Sequence, residues 1–370
     1  MYKKKKVYIH FKNDGFMLEY LLVKVMFKYT LDNKRYHTLN YFYKSKFGIK
    51  VFKLSLNGGF TCPNLDGTKG YGGCIYCSKT GSGEFGGDKH KALVEQVADM
   101  KKVVNKKNIP CKYIGYFQAR TNTYAPVDVL KKKYEEVLSC PDIIGLNIAT
   151  RCDAISDECL DYLTELNKKT FLTIELGLQT IHDVTSKLIN RCHTLEEFDD
   201  MVKKLRKRHI NVVVHIINGL PYENEEMMLN TIKHLNNLDI QGIKIHMLNI
   251  IKDTEMAKLY EKERFHILTK EEYIDIVIKQ LEIMNPKIII NRITSDPDKE
   301  MLIEPKWLCE KCQLLNDIDK EMKKRNTYQG IKYWYVFYFD RLIMTYLFSS
   351  RKLSFLTSPI INKVDIKIMA

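Results

Sequence analysis

The chain has 370 residues, 45% hydrophobic and 28% charged. That balance excludes a disordered or collagen-like polymer and suits either two ordinary domains or one large α/β barrel. The formal net charge of +14 admits a phosphate-rich partner without requiring one.

Taken in chain order, the first segment is basic. Residues 1–34 carry a net charge of +5, residues 331–370 carry +4, and 35–330 are nearly neutral for their size at +5. Lys3–Lys6 and the Phe16–Phe27 run, broken by Glu19 and Lys24, do not read as a signal peptide. No uncharged apolar stretch reaches the ~18 residues of a membrane-spanning helix.

The middle alternates strand-like and helix-like runs. Strands are expected at 51–56, 113–117, 143–149, 171–178, 212–217 and 242–248, with helical periodicity at 90–105, 127–139, 157–167, 194–208 and 224–235. Thr194 with Glu197, and Thr269 with Glu272, have the spacing of capping boxes. Six strands separated by helices predict right-handed βαβ units and a parallel sheet. A further strand at 287–293 and a helix at 307–325 follow. The expected division is a basic extension at 1–34, a core barrel at 35–250, an α/β extension at 251–330 and an aromatic-rich tail at 331–370.

There are ten cysteines in this long chain, too sparse for a disulfide scaffold. A reducing cytoplasm is the default, where closely spaced cysteines bind metal or do redox chemistry. The Gly-rich loop after the first strand holds Cys62, Cys74 and Cys77, spaced Cys-x11-Cys-x2-Cys. Three thiolates suit a [4Fe–4S] cluster with one open iron, because a fourth would saturate it. The spacing alone leaves two other readings: zinc with His90 as the fourth ligand, and incidental thiols. Cys309 and Cys312 form a second Cys-x2-Cys pair, read as incidental on a helix.

The loop Gly59-Phe-Thr-Cys-Pro-Asn64, with the Cys-x-aromatic-Cys ending, resembles the radical S-adenosylmethionine (SAM) proteins of the YhcC/YtqA type. The same holds for Phe117-Gln-Ala119, Glu175-Leu-Gly-Leu-Gln179, Gly219-Leu-Pro221 and Arg325-Asn-Thr-Tyr-Gln-Gly330. The resemblance runs from about Tyr29 to Gly330. These proteins are relatives of elongator-type and methylthiotransferase radical enzymes. It implies a partial (β/α)6 TIM-like barrel with the C-terminal α/β extension closing it. It implies that Cys62, Cys74 and Cys77 hold a [4Fe–4S] cluster whose open iron binds SAM, with reductive cleavage to a 5′-deoxyadenosyl radical. An electron donor such as flavodoxin or ferredoxin is an implied partner; the substrate stays open between a tRNA or nucleobase, suggested by kinship with tRNA-modifying radical enzymes, and a small molecule or protein. The alternative is a zinc-stabilised nucleic-acid-binding protein.

Candidate SAM contacts fall at successive strand ends, where barrel active sites collect. They are Tyr76 for the adenine, Gln118, Thr121 and Asn122 as acceptors for the ammonium, and Arg151 for a carboxylate. Glu175 and Gln179 alternate with Gly177, so all three are expected on one face. Glu175 would meet ribose hydroxyls or pair with Lys244, and Arg151 would bind ligand or pair with Asp153. Arg191 completes the set. Cys152, Cys192 and Tyr222 depart from the family pattern, Cys192 and Tyr222 standing where glycine is usual. Positive φ at Cys192 would be strained. The family pattern also makes Met26 a candidate translational start.

Overall fold

The computed structural model describes residues 4–11, 17–23, 32–81, 83–333 and 364–368. They fall into two units. In the first, residues 1–28 with 332–370, the segment Lys4–Phe11 is the middle strand of an antiparallel sheet, between Met17–Val23 and Val364–Ile368. The candidate start at Met26 and most of the aromatic-rich tail lie outside the described residues.

The second unit, Tyr29–Ile331, is built on seven parallel strands. Helix α1 (Leu39–Phe47) leads into β1 (Lys50–Leu56), then α2 (Leu93–Val104), β2 (Cys111–Phe117), α3 (Val127–Leu138) and β3 (Ile143–Thr150). Next come α4 (Asp157–Lys169), β4 (Phe171–Gln179), α5 (Asp183–Leu188), α6 (Leu195–Lys207), β5 (Asn211–Asn218), α7 (Glu225–Leu235) and β6 (Gly242–Met247). The remainder is β7 (Ile250–Ile251), α8 (Glu255–Glu263), α9 (Lys270–Ile283), β8 (Ile289–Arg292), β9 (Leu302–Glu304) and α10 (Lys311–Lys324).

The strand order is β8-β6-β5-β4-β3-β2-β1, every pair parallel. All six expected strands are present. The extension adds β8 as a seventh, so it is part of the same sheet. In a flat sheet β1 and β4 would lie about 14 Å apart. Instead the Lys53 ammonium of β1 reaches the Glu175 carboxylate of β4 at 3.0 Å. The sheet is therefore curled into a partial barrel. At its base Thr38 bridges Ile290 of β8, and the Ile290 amide donates to the His37 carbonyl at 2.7 Å.

Helices pack on the convex face through their apolar stripes. Leu130, Leu163, Phe198, Leu205, Val277 and Leu281 are fully buried, and each such side chain contributes about 1.5–3 kcal/mol relative to exposure. The Thr194 and Thr269 capping boxes form as their spacing predicts. Helices α1, α5 and α8 were not anticipated, being short and marginal alone. Cys309 lies in a 3-10 turn before α10 and only Cys312 is in the helix, so the expected single helix is split. Among the described residues no helix is long and apolar enough to cross a membrane.

Candidate functional site

The loop leaving β1 is shaped by two tight turns. The Leu65 amide donates to the Cys62 carbonyl at 2.9 Å, and the Cys77 amide donates to the Cys74 carbonyl at 2.9 Å. The second turn sets the Cys74 and Cys77 side chains within hydrogen-bonding reach of each other. The Gly73 amide donates to the Asn64 carbonyl at 2.7 Å and ties one turn to the other. Gly72 and Gly73 take φ of +76° and +79°, a conformation costly for any side chain.

The rest of the barrel anchors this loop. The Ile75 amide donates to the Ile189 carbonyl after α5, and the Met256 amide of α8 donates to the Ile75 carbonyl. Buried Asn64 donates from Nδ2 to the Asn190 carbonyl at 2.6 Å and faces the Cys74 sulfur at 3.6 Å. The Asn190 amide in turn donates to the Tyr71 and Gly73 carbonyls.

Charge around the thiols is uneven. The hydrogen bond from Cys77 pulls the Cys74 thiol down to about 6 against burial, helped by Arg151, Tyr76 and Asn64. The same bond, with burial, pushes the Cys77 thiol well up, and Arg120 acts in the opposite direction. The Tyr76 phenol is held protonated by burial and by the two neighbouring thiols.

The other expected residues gather at adjacent strand ends. Gln118 is half-buried at the end of β2, its amide donating to the Leu56 carbonyl. The amide of buried Thr121 donates to the Thr61 carbonyl, one residue before Cys62. Asn122 is fully buried and donates to the Phe117 and Ala149 carbonyls, stitching β2 to β3, while its Oδ1 has no partner. Arg151 is committed to Asp153 in a two-pronged pair, both contacts 2.8 Å.

Glu175 is completely buried at the centre of the barrel. Its carboxylate meets Lys244 at 2.5 Å, Lys53 at 3.0 Å, His215 at 2.8 Å and Asn147 at 2.7 Å. Burial opposes ionisation, but Lys244, Lys53 and His215 outweigh it and hold the carboxyl well below its usual range. The expected alternation breaks beyond Gly177. The β4–β5 register shifts there, Gln179 takes φ +63°, and its amide folds back over Gly177. A bulge displaces the side-chain sequence by one, which a period-two pattern does not anticipate.

Two family models match this chain: the Radical SAM superfamily over residues 70–235 and the Radical_SAM C-terminal domain over 240–324. The chain is 49% identical over 304 residues to the YtqA protein of Bacillus subtilis, covering 82% of this chain and 94% of that one. It is 36% identical over 266 residues to the YhcC protein of Escherichia coli, covering 72% and 84%. The chain belongs to the radical SAM superfamily. It is a radical SAM enzyme, and membership implies SAM cleavage by radical chemistry. The archaeal Methanocaldococcus infernus Elp3 structure has the same fold, with TM-score 0.58 and 18% identity. That match covers 76% of this chain and 65% of the Elp3 chain, so this chain spans about two thirds of that structure.

In this radical SAM chain Arg191 is 1% exposed and donates only to main-chain carbonyls, those of Leu178, Thr180 and His193. It holds the loop after β4 against the turn that carries Asn190 and Cys192. Cys192 and Tyr222 both take φ +66°, the left-handed conformation for which glycine is the economical residue. Sequence reasoning missed Lys53, Asn147, Asn64 and Asn190. Lys53 carried one usable signal, a lone charge inside a strand pattern. Asn64 stood in the loop motif and Asn147 was a lone polar residue inside a strand pattern, but their partners, like those of Asn190, come from distant segments. His90, the fourth ligand of the zinc alternative, is exposed, and nothing in the comparisons favours that alternative.

Proposed function

We propose that Cys62, Cys74 and Cys77 hold a [4Fe–4S] cluster at the mouth of the barrel and that SAM binds beside it. The observation that supports this is the joined pair of turns, which sets Cys74 and Cys77 within hydrogen-bonding reach and Cys62 within electrostatic reach of Cys77, with Arg151 and Arg120 nearby. Arg151 helps draw the Cys74 thiol towards the thiolate, the form that ligates iron. Among the described residues no three His, Cys, Asp or Glu side chains crowd together as ligands of one ion do. A cluster shares its thiolates among separate irons and does not need such crowding.

A cluster held by Cys62, Cys74 and Cys77 would supply the one-electron reduction by which SAM is cleaved. The chain's residues bind and orient. Gln118, Thr121 and Asn122 present acceptors for the methionine ammonium, and the orphan Asn122 Oδ1 is the clearest of these. Arg151 places positive charge near Cys62 and Cys74 while Asp153 fixes its plane. Gln179 lies near the ribose, with Glu175 beneath it as the charge that organises the interior. Arg191 acts through the backbone it anchors, and Tyr76 shields the adenine side. In this reading 35–250 is the catalytic core and 251–330 the extension that closes it.

The electron donor is of the flavodoxin or ferredoxin class, and the setting is cytoplasmic. A tRNA or nucleobase substrate is supported by similarity to relatives named as a tRNA uridine(34) acetyltransferase and a threonylcarbamoyladenosine tRNA methylthiotransferase. The test is anaerobic reconstitution with iron and sulfide, then reduction with SAM. About four irons per chain and formation of 5′-deoxyadenosine are expected. One zinc and no SAM cleavage would discard the proposal.

A further inference from the structure

The interior of the barrel carries more positive than negative charge. Glu175 is the single carboxylate among Lys53, Lys244 and the strand β8 residue Arg292. Arg292 is the register partner of Lys244 across the β6–β8 ladder. Cα partners on parallel strands direct their side chains to the same face. Lys244 points inward, since it meets Glu175 and donates to the Tyr116 hydroxyl at 2.8 Å. The ladder shifts register between Ile290 and Arg292, and at the pair beyond the shift Arg292 faces the interior with Lys244, in keeping with its electrostatic effect on Lys244, His246 and Tyr116.

Among the described residues the Arg292 guanidinium makes no hydrogen bond or ion pair, although it is half-buried. A second group beside it is also unmatched. The His246 Nε2 atom is buried without a partner, its ring 5.4 Å from that of His215. Burial keeps His246 neutral, so the ring can present one N–H. With Nε2 carrying the ring proton, the unpaired guanidinium and the unpaired His246 N–H lack the same thing, an oxyanion, since Glu175, the carboxylate that meets Lys244 and Lys53, is already shared.

We infer that Arg292 and His246 form a subsite for a carboxylate or phosphate group of the substrate, set against the Lys244–Glu175 pair. The inference rests on the radical SAM reading for its meaning but not for its test. It narrows the substrate to an anionic molecule. A phosphate ester and a carboxylic acid share the chemistry, and SAM's own carboxylate is the competing source.

The experiment uses the full-length chain and three probes: inorganic phosphate, succinate and SAM, each titrated by thermal shift and by calorimetry. Saturable binding of phosphate or succinate is expected. Arg292→Gln should weaken it at least tenfold, with SAM affinity changed less than twofold. Arg292→Lys should recover part of the loss, and His246→Ala should weaken the same probe. Because Arg292 holds no structural contact, the unliganded melting temperature should stay near that of the parent, and the His246 variant gives a second measure if it does not. Absence of saturable binding by phosphate and succinate would overturn the inference. So would an equal loss of SAM affinity in Arg292→Gln, which would assign the guanidinium to SAM. Failure of SAM cleavage with anion binding intact would sink the proposed function and leave this subsite standing.

Discussion

Replacing Glu175 by Gln keeps the shape of the barrel's central side chain and removes its charge. The carboxylate is fully buried and answers Lys244 at 2.5 Å and Lys53 at 3.0 Å. Removing one partner of a buried pair leaves an uncompensated charge and costs about 3–5 kcal/mol. For a unit of this size that is a fall in melting temperature of roughly 5–8 °C. The pH dependence gives a sharper test. Burial, with Lys53 and Arg292, lowers Lys244 to about 7, against the support of Glu175. A folded value below the unfolded one means that folding expels a proton between the two, so stability rises with pH from about 7 towards 10. Without Glu175 the Lys244 value falls further and the window extends below pH 7. The stability gap between parent and variant should then be large at pH 6 and shrink by pH 8.5. Thermal unfolding followed by circular dichroism at both pH values measures it. A gap that is absent, or constant across that range, would refute the electrostatic account of the barrel centre.

Cys74→Ala should lose cluster iron and reduce 5′-deoxyadenosine formation at least a hundredfold, whereas Cys309→Ser and Cys312→Ser should leave both unchanged; iron assay and product chromatography decide it. Gly70→Ala would place a Cβ 2.2 Å from the Asn64 Oδ1 and 2.8 Å from the Cys192 sulfur. It should displace Asn64 from Cys74 and lower iron retention without unfolding the barrel, read by iron content against circular dichroism. Cys192→Gly relieves a left-handed residue and should raise stability by about 1 kcal/mol; an unchanged or lower denaturation midpoint would count against strain at that position.

Much of the fold was legible because its determinants are local. Alternating strand and helix periodicity, two capping boxes and a Gly-rich loop with three cysteines are all short-range patterns, and each element they marked is present. Cys192 and Tyr222, standing where the family has glycine, do take positive φ. What escaped depended on pairing between distant segments. The helices α1, α5 and α8 are too short to announce themselves, and the bulge at Gln179 appears only when β4 meets β5.

Composition and spacing alone determined an α/β chain with a metal-suited cysteine loop, since those follow from residue identity over short windows. The net charge sharpened little, because most of it lies in the two ends. Tertiary structure decided which polar residues meet. Curling the sheet brings Lys53, Asn147, Glu175, His215 and Lys244 from five strands into one buried cluster. It commits Arg151 to Asp153 and leaves Arg292 unmatched. A one-dimensional pattern carries which face a strand side chain occupies. The partner across the barrel is set by curvature and register, and these exist only once the strands have assembled.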